Sequence, residues 1–442
     1  MIAEHESGGG FFIVFGNIYV RIFTMNLTFS KERIKEKSLI LAWGLYDFAN
    51  QVFALNIVSL YFVRWIIIDK QTPELFYGVC LGASLLLVAC LGPFLGSVSD
   101  LMHRRRFFLV FFTLLSIVFT ISLGLTDSVF WALIFFIVAN FGCQIAIIFY
   151  NALLINIAPP DKVGLVSGIG RMLGYCGAVL GLFIVHPLVQ ESGRRAAFIP
   201  SGLLFFIFAL PCMFFVKDRK PKQILSIFSF LTKEKVRLFF REFLNNTLDL
   251  VSAANLSNFL KATFFCLCVV NTIIVFMSVY VTQVFGLTES ELFKLILFST
   301  IFAIVGSLFS GYISDSIGHK RCLIIVFFLW GLCLLAGAIV RNPLFYWFIG
   351  PMVGVALGST WVVSRALVIH IVPADKIGQV FGLFFLISLL STATGVFFWS
   401  GLLWFLAPLK ASGYRFALAS LLFFLLPGLI YARRIRVNHI QT

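Results

Sequence analysis

Charged side chains are scarce in this sequence. Asp, Glu, Lys and Arg make up 12% of its 442 residues, whereas soluble globular domains average about 25%. Hydrophobic residues make up 60%, and the mean hydropathy is +1.01. A soluble core could not bury this much apolar surface. The composition therefore excludes a soluble globular protein and indicates a polytopic membrane protein whose partner is the lipid bilayer.

The sequence also lacks the motifs of several other functions. Apart from Cys266 and Cys268, its nine cysteines are widely spaced, and no His/Cys spacing fits a zinc site. It contains no G-x-x-x-x-G-K-[ST] loop, so it carries no recognisable ATPase motif. Its His, Asp and Glu residues are too scattered for a membrane-embedded acyl or glycosyl transferase. We therefore expect no catalytic residues, no metal and no cofactor.

Basic residues outnumber acidic ones, 34 to 19. In a membrane protein such an excess sets orientation against the cytoplasmic leaflet, so it does not require a nucleic-acid partner. Twenty-two lysines and arginines fall in the loops on one predicted side of the membrane, and eight fall on the other. The positive-inside rule then predicts that both termini and the middle loop are cytoplasmic. We expect a multi-pass protein of the inner (plasma) membrane of a bacterium.

Twelve apolar runs are long enough to cross a bilayer, which takes about 20 residues each. We expect helices, because lipid offers the backbone no hydrogen-bond partners. The predicted spans are 38–67, 74–99, 107–126, 129–158, 163–189, 196–216, 256–284, 290–314, 322–340, 344–371, 376–406 and 413–432. They predict an all-α membrane protein.

The spans divide the chain into five regions. We expect a cytoplasmic tail at 1–37, a six-helix bundle at 38–216, a cytoplasmic linker at 217–250, a second bundle at 251–433 and a tail at 434–442. In the linker, "LTKEKVRLFFREFLNN" (231–246) predicts an amphipathic helix on the membrane surface. Met25 opens a conventional basic tail, so we expect it to be the true start and 1–24 to be an upstream extension or a disordered tail.

The two bundles repeat each other in sequence. "INIAPPDKVGLVSG" (155–168) aligns with "IHIVPADKIGQVFG" (369–382), and "GSVSDLMHRRR" (96–106) aligns with "GYISDSIGHKR" (311–321). The two offsets differ by a single residue. Duplicated halves of six spans are typical of secondary transporters, which hold their solute between the halves near the bilayer midplane.

The second repeated motif predicts contacts between helices. Gly96 and Gly311 permit close helix packing, and Asp100 and Asp315 can accept hydrogen bonds at a neighbouring helix N-terminus. The pattern resembles the cytoplasmic loop signature of the major facilitator superfamily, a fold of two pseudo-symmetric six-helix bundles. The resemblance implies a latch for the outward-facing state. Its members here would be Gly96, Asp100, Arg104, Gly311, Asp315, Lys320 and Arg321. Arg105 and Arg106 are predicted to set topology only.

Three further stretches resemble one branch of that superfamily. "AWGLYDFANQVF" (42–53), "FYNALLINIAPPDKVGLVSGIGRMLGYCGAVLGL" (149–182) and "SRALVIHIVPADKIGQVFGL" (364–383) are similar to the UMF1 branch. That branch is related to the autophagy-linked vacuolar amino-acid effluxers of fungi. Where relatives commonly have Ser after the Asn of the Y-D-x-A-N core, this chain has Gln51, a departure that can alter substrate choice.

Asp47 lies deep inside the first predicted span. It is ten residues beyond Lys37, or ~15 Å along a helix, which is near the midplane of a ~30 Å core. Asn50 and Gln51 follow at i+3 and i+4 on the same face. An unpaired charge at this depth costs at least ~2.5–3.5 kcal/mol, so Asp47 should face a partner or water.

Two arginines at similar depth are candidate partners for Asp47. Arg171 lies in the fifth span and Arg365 in the tenth, where Arg365 aligns with Asn151 of the other half. Asp47 and Arg171 could form a purely structural ion pair, or Asp47 could titrate or bind a cationic group of the solute. The residues predicted for the solute or ion pathway are Tyr46, Asp47, Asn50, Gln51, Asn140, Gln144, Asn151, Arg171, Tyr175 and Arg365.

The sequence thus predicts a secondary active transporter that moves a small polar solute by alternating access. The family resemblance suggests an amino acid or a related metabolite, with a proton or another ion as a candidate for coupling. For a zwitterion, an arginine would take the carboxylate and Asp47 the amine. Two alternatives remain open. One is an exporter of drugs or lipids on the same fold, and the other is a transport-dead membrane sensor or scaffold that works through its middle loop.

Overall fold

The structure is a computed structural model that describes residues 31–218 and 247–436. The predictions for Met25 and 1–24, for the amphipathic helix at 231–246 and for residues 437–442 fall outside the described residues. The chain divides into two compact units, Met1–Ser38 and Leu39–Thr442. Of the first unit, residues 31–38 are described as the beginning of a helix. The second unit is the helical bundle.

Twelve helices in the described parts of the chain are long and apolar enough to cross a membrane, which confirms the twelve predicted spans. They are α1 (Lys31–Phe53), α2 (Glu74–Met102), α3 (Arg105–Leu125), α4 (Val129–Ile157), α5 (Val163–Ser192), α6 (Phe198–Phe215), α7 (Ala254–Phe285), α8 (Glu289–Ile317), α9 (His319–Ile339), α10 (Tyr346–Ile371), α11 (Ile377–Phe405) and α12 (Ala411–Arg434). Residues 31–218 and 247–436 contain no β-strand. The predicted all-α membrane fold is confirmed.

The first span changes its helical form halfway. Beyond α1 the backbone continues as a π-helix over Ala54–Tyr61 and, after one short α-helical turn, again over Trp65–Asp69. The side chain of Asn56 in the first π-segment donates a 3.3 Å hydrogen bond to the carbonyl of Gly181 in α5. π-Helical segments are rare and often adjoin functional sites. Here the change begins just after Asn50 and Gln51.

The two repeated turns differ in length. Between α2 and α3 lie two residues, His103 and Arg104, with His103 in the left-handed conformation at φ 49°. Between α8 and α9 lies only Gly318, at φ 93°. A glycine reaches this φ without strain, so it can close the shorter turn alone. The first residue of α3 is therefore equivalent to the first residue of α9.

The N-terminal half (α1–α6) and the C-terminal half (α7–α12) meet along glycine-lined helices. In α2 and α11, a Cβ on Gly96 would overlap the backbone of Gly378. In α5 and α8, a Cβ on Gly311 would overlap the backbone of Gly164. These contacts confirm the close packing predicted for both motif glycines. Small residues let helix backbones approach to van der Waals distance, which substitutes for hydrophobic driving force in lipid.

The outer surface of the bundle is apolar. Phe397 of α11 and Phe423 of α12 expose 78% and 74% of their surface, and many other large apolar side chains are similarly exposed. A water-soluble monomer rarely shows such an extended apolar surface. The exposed side chains are therefore the ones that contact lipid.

Candidate functional site

Asp47 is the centre of a buried charge cluster formed by three helices. Its carboxylate, in α1, is 3% exposed. Oδ1 lies 3.7 Å from Nη1 of Arg171 in α5, and Oδ2 lies 3.5 Å from Nη2 of Arg365 in α10. Charge-assisted N–H···O bonds are normally 2.7–2.9 Å, so both contacts are loose. The sequence predicted both arginines as candidate partners, and the structure brings both to Asp47 at once.

Aromatic rings hold the two guanidinium groups. Arg365 lies 5.5 Å from the ring centres of both Trp43 and Tyr150 in the N-terminal half. Arg171 lies 4.8 Å from the ring centre of Tyr175 and 5.7 Å from that of Trp361 in the C-terminal half. The negative face of an aromatic ring attracts a cation without neutralising it. Each arginine is thus attached to the opposite half as well as to Asp47.

Glycines of α5 bring α1 close enough for these contacts. A Cβ on Gly170 would press on the ring of Trp43, and one on Gly174 would lie 3.1 Å from the Asp47 carboxyl. One further turn along, a Cβ on Gly177 would overlap the backbone of Phe48. Because these glycines recur at three- and four-residue spacing, they form one smooth face of α5. This face sets the distance between Asp47 and Arg171.

Several buried polar atoms around the cluster lack a hydrogen-bond partner among the described residues. They are Nε of Arg171, Nη1 of Arg365 and the hydroxyl of Tyr150. Buried polar atoms are hydrogen-bonded in more than nine cases out of ten, and an unsatisfied one costs about 1–3 kcal/mol. A group of such atoms beside a buried ion cluster marks a place where a polar solute or water can bind.

Three of the predicted pathway residues instead pack inside the N-terminal half. The hydroxyl of Tyr46 shares a 2.7 Å hydrogen bond with Thr113, and the ring is fully buried against Tyr150. Asn50 accepts a 2.9 Å hydrogen bond from the thiol of Cys143. Asn140 donates a 2.7 Å hydrogen bond to Ser84. Among the described residues, none of these three side chains makes a hydrogen bond to Arg171 or Arg365.

The remaining predicted pathway residues are half-buried. They are Gln51 in α1, Gln144 and Asn151 in α4, and Tyr175 in α5. Gln51 lies next to Gly174, as Asp47 does, since a Cβ on that glycine would be 3.3 Å from Cγ of Gln51. The ring of Tyr175 lies next to the guanidinium of Arg171. Gln51 and Tyr175 therefore border the cluster directly.

The two motif carboxylates each cap a helix of the opposite half. Asp315 accepts 2.7 Å hydrogen bonds from the backbone N–H groups of Gly164 and Leu165, at the start of α5. Asp100 accepts a 3.0 Å hydrogen bond from the backbone N–H of Gln379, at the start of α11. The first N–H groups of a helix have no partner within it, and its dipole favours a negative charge there. This confirms the hydrogen bonding predicted for both Asp residues.

The cation that supports Asp100 is Arg105, not Arg104. Arg105 lies 2.7 Å from Oδ1 of Asp100 and is buried, whereas Arg104 is exposed. Arg105 also donates a hydrogen bond to the carbonyl of Ala374 in the opposite half. Within its own half it donates a longer hydrogen bond, of 3.5 Å, to the carbonyl of Ala152. The prediction that Arg105 only sets topology is therefore wrong, because the two-residue turn after α2 moves the inward-facing cation one position along the chain.

In the other half a histidine takes the corresponding place. His319 begins α9 as Arg105 begins α3, and its Nδ1 lies 2.5 Å from the hydroxyl of Ser314. Its Nε2 lies 3.4 Å from Nε2 of His370. The predicted latch residues Lys320 and Arg321 follow it on α9, half-buried and exposed respectively. The two turns thus share the carboxylate but differ in the group that supports it.

Sequence reasoning missed a polar group in the C-terminal half. Asn271 of α7 donates a 2.7 Å hydrogen bond to the hydroxyl of Thr392 and a 3.3 Å hydrogen bond to the carbonyl of Ser388, both in α11. A lone Asn within an otherwise apolar span was the available signal. In the described parts of the chain, no group of three or more His, Cys, Asp or Glu residues could hold a metal ion.

The sequence matches a known family along nearly its whole length. The profile of the Major Facilitator Superfamily matches residues 39–396 and 260–439. An uncharacterized protein of Aquifex aeolicus is 26% identical over 372 residues, which cover 84% of this chain and 91% of that protein. The uncharacterized MFS-type transporter YxiO of Bacillus subtilis is 22% identical over 370 residues, covering 78% and 83%.

A solved structure resembles the fold. The crystal structure of a bacterial homologue of the iron transporter ferroportin, in its outward-facing state, matches with a TM-score of 0.69. The match covers 90% of this chain and 99% of that one at 16% sequence identity. At this identity the likeness concerns the fold alone.

Proposed function

This chain belongs to the Major Facilitator Superfamily, and on that premise we propose that it is a secondary active transporter. Its family and fold are those of membrane transporters and not of enzymes. The proposed solute is small and polar, such as an amino acid or a related metabolite. The proposed mechanism is alternating access, in which one six-helix half rocks against the other.

The contact between Asp47 and Arg365 carries this proposal. Asp47 belongs to α1 and Arg365 to α10, so their ion pair joins the two halves. Rocking of the halves must change this contact, whereas the contact between Asp47 and Arg171 lies within the N-terminal half. A solute bound among the three charges would therefore sense which way the transporter faces. The unpartnered atoms beside the cluster supply further groups for binding it.

The cross-half contacts suggest how access is controlled. The interhalf hydrogen bonds and ion pairs described here, within 31–218 and 247–436, lie between the Asp47 cluster and the turns at Asp100 and Asp315. The molecule is therefore closed at the end that carries the turns at Asp100 and Asp315. The excess of basic residues supports a cytoplasmic position for it, with both termini on the same side of a bacterial inner membrane. Opening this end would require both carboxylates to leave their helix N-termini.

The finer assignments are also part of the proposal. The six-helix regions 38–216 and 251–433 would act as the moving bodies, joined by the linker at 217–250. The similarity of "YDFAN" (46–50) and its companion stretches supports the UMF1 branch. Because the chain contains no recognisable ATPase motif, a solute or ion gradient would supply the energy, with a proton as one candidate.

A counterflow assay on reconstituted protein tests the proposal. Proteoliposomes loaded with one unlabelled solute are mixed with a trace of the same solute carrying a radiolabel, across amino acids, sugars, nucleotides and organic acids. We expect label to accumulate for at least one small polar solute. Asp47→Asn should abolish that accumulation without lowering expression, because the two arginines lose their shared counter-ion.

The matched control is Asp127→Asn. Asp127 is an exposed carboxylate in the loop before α4. It forms ion pairs with Arg195 and Lys70 and not with either arginine of the cluster. It should transport at the wild-type rate. Wild-type transport by Asp47→Asn would remove Asp47 from the mechanism. Counterflow of apolar drugs or lipids alone would favour the exporter, and no counterflow of any solute would favour a sensor or scaffold.

A further inference from the structure

The buried cluster carries one positive charge in excess. Arg171 and Arg365 each make an ion pair with Asp47, and among the described residues these are the ion pairs of both arginines. Two cations therefore share one carboxylate. Burying an uncompensated charge is costly, and the cost is removed when a counter-ion binds. The charge balance alone favours an anion over a neutral or cationic solute.

The hydrogen-bonding groups of the cluster point to the same kind of ligand. Nε of Arg171 and Nη1 of Arg365 are buried donors without a partner among the described residues. A guanidinium group has five N–H donors and no acceptor, so these sites can be satisfied only by an acceptor. The hydroxyl of Tyr150, whose ring lies beside Arg365, also has no hydrogen-bond partner among the described residues and can donate one hydrogen bond.

The single carboxylate of the cluster is already engaged. Oδ1 of Asp47 faces Arg171 and Oδ2 faces Arg365, so each oxygen has its own cation. An ammonium group would have to displace a guanidinium from Asp47 and would raise the local positive charge. An oxyanion meets no such competitor, because Nε of Arg171 and Nη1 of Arg365 have no partner in the described part of the chain. The long contacts of 3.5 and 3.7 Å leave the guanidinium groups able to turn toward it.

The aromatic contacts leave the arginine edges available. The Arg365 guanidinium lies over the rings of Trp43 and Tyr150, and that of Arg171 lies over the rings of Tyr175 and Trp361. A guanidinium group carries its N–H donors in its own plane, where they can bind an oxyanion through two hydrogen bonds. Attraction of the cation to a ring face does not itself require an N–H donor, so the donors can also bind an oxyanion.

We infer that the transported solute is a small organic monoanion, held through its carboxylate by Arg171 and Arg365. This inference rests on the proposed transport function and, among small polar solutes, replaces the zwitterionic amino acid with a monoanion. A solute of charge −1 brings the site to neutrality, whereas a zwitterion leaves the excess charge in place. Asp47 is then the counter-ion that keeps the empty site stable and that competes with the solute to release it.

Binding measurements on the purified full-length protein test the inference. The probes are lactate and acetate as monoanions, succinate as a dianion, and glycine and alanine as zwitterions, at constant ionic strength in NaCl. We expect the monocarboxylates to raise the melting temperature and the zwitterions to leave it unchanged. Arg365→Gln should weaken monocarboxylate binding at least tenfold. Arg341→Gln, which removes an exposed arginine before α10, should bind like the wild type.

A change in preference tests the charge balance itself. Asp47→Asn raises the charge of the site from +1 to +2, so its affinity for succinate relative to lactate should rise at least tenfold. Arg365→Gln lowers the charge to zero and should lower the same ratio. A merely structural ion pair would change the melting temperature of these variants but not the ratio.

Counterflow separates the failure of this inference from the failure of the proposed function. Counterflow of alanine without counterflow of lactate would overturn the monoanion inference and leave the transport function standing. Binding of the zwitterions alone, or no binding of any compound in the panel, would likewise overturn the monoanion inference. If no polar solute of any charge shows counterflow, the proposed function fails as well.

Discussion

Asp100 in α2 accepts a 3.0 Å hydrogen bond from the backbone N–H of Gln379, in the first turn of α11. Asp315 makes the equivalent contact with Gly164 and Leu165 of α5, so each half of the molecule caps one helix of the other. Close glycine packing accompanies both caps, at Gly96 and Gly311. One end of the molecule is therefore closed by two related and separable contacts.

Removal of the Asp100 charge should loosen the start of α11. Hydrogen bonds to a charged group contribute about 1.5–3 kcal/mol, and each ~1.4 kcal/mol is a factor of ten in an equilibrium constant. We expect Asp100→Asn to speed amide hydrogen exchange in a peptide covering 374–383 by about tenfold to a hundredfold. Mass spectrometry of exchange in detergent measures it.

Asp375→Asn is the control for that experiment, because Asp375 is an exposed carboxylate in the loop just before α11. In Asp375→Asn, the peptide covering 374–383 should exchange at the wild-type rate. Equal rates in Asp100→Asn and Asp375→Asn would mean that the Asp100 contact does not stabilise the closed end.

Two adjacent arginines should differ in their effect on transport. Arg105 binds Asp100 and two backbone carbonyls, whereas Arg104 is exposed. Arg105→Lys keeps the charge but loses the planar group that makes several hydrogen bonds at once, so counterflow should fall at least fivefold. Arg104→Lys should change it by less than twofold. A larger loss of counterflow in Arg104→Lys than in Arg105→Lys would contradict this assignment and favour the alignment of the two turns without a gap.

A methyl group on the glycine face of α5 should destabilise the protein. A Cβ on Gly177 would overlap the backbone of Phe48, which cannot move aside as a side chain can. Overpacking of this kind costs about 1–3 kcal/mol, so Gly177→Ala should lower the melting temperature. Gly401→Ala in α11 is the control, since a Cβ there meets no atom within 4 Å. An unchanged melting temperature for Gly177→Ala would contradict the packing.

Much of this architecture could be predicted from sequence, because it depends on local patterns. Long apolar runs give the twelve spans, and the repeated G-x-x-x-D motif gives both carboxylate caps. Asp47 stood out because a single carboxylate deep inside an apolar span requires a partner. Both of its candidate partners were recognised for the same reason.

The errors concern features that depend on distant residues or on small changes of register. Arg105 was missed because the first turn has one residue more than the second, which a single sequence alignment hides. Tyr46 adjoins Asp47 in sequence but points into the N-terminal half, where Thr113 and Tyr150 receive it. The π-helical change after Phe53 leaves no mark in hydropathy, since most of its residues are apolar.

Trp361 should report solute binding by its fluorescence. Its ring lies 5.7 Å from the guanidinium of Arg171 and is half-buried, so a ligand that turns Arg171 changes the field at the indole. We expect a saturable change in emission with a transported solute, lost in Trp361→Phe. Trp131→Phe, which removes a 52% exposed ring on α4, should retain the change. A full response in Trp361→Phe would place the solute away from Arg171.

The most direct test of alternating access around the charge cluster is a distance measurement between the halves. Spin labels would replace Arg104, beside α3, and Arg321, in α9, because both are exposed next to the closed end. The exposed Cys90 would be changed to Ser to limit background labelling. Pulsed electron resonance then gives the distance distribution with and without a transported solute. We predict one population without solute and a second, longer distance with it, absent when Asp47→Asn is added. A single distance that never changes in a variant that still transports would contradict the account.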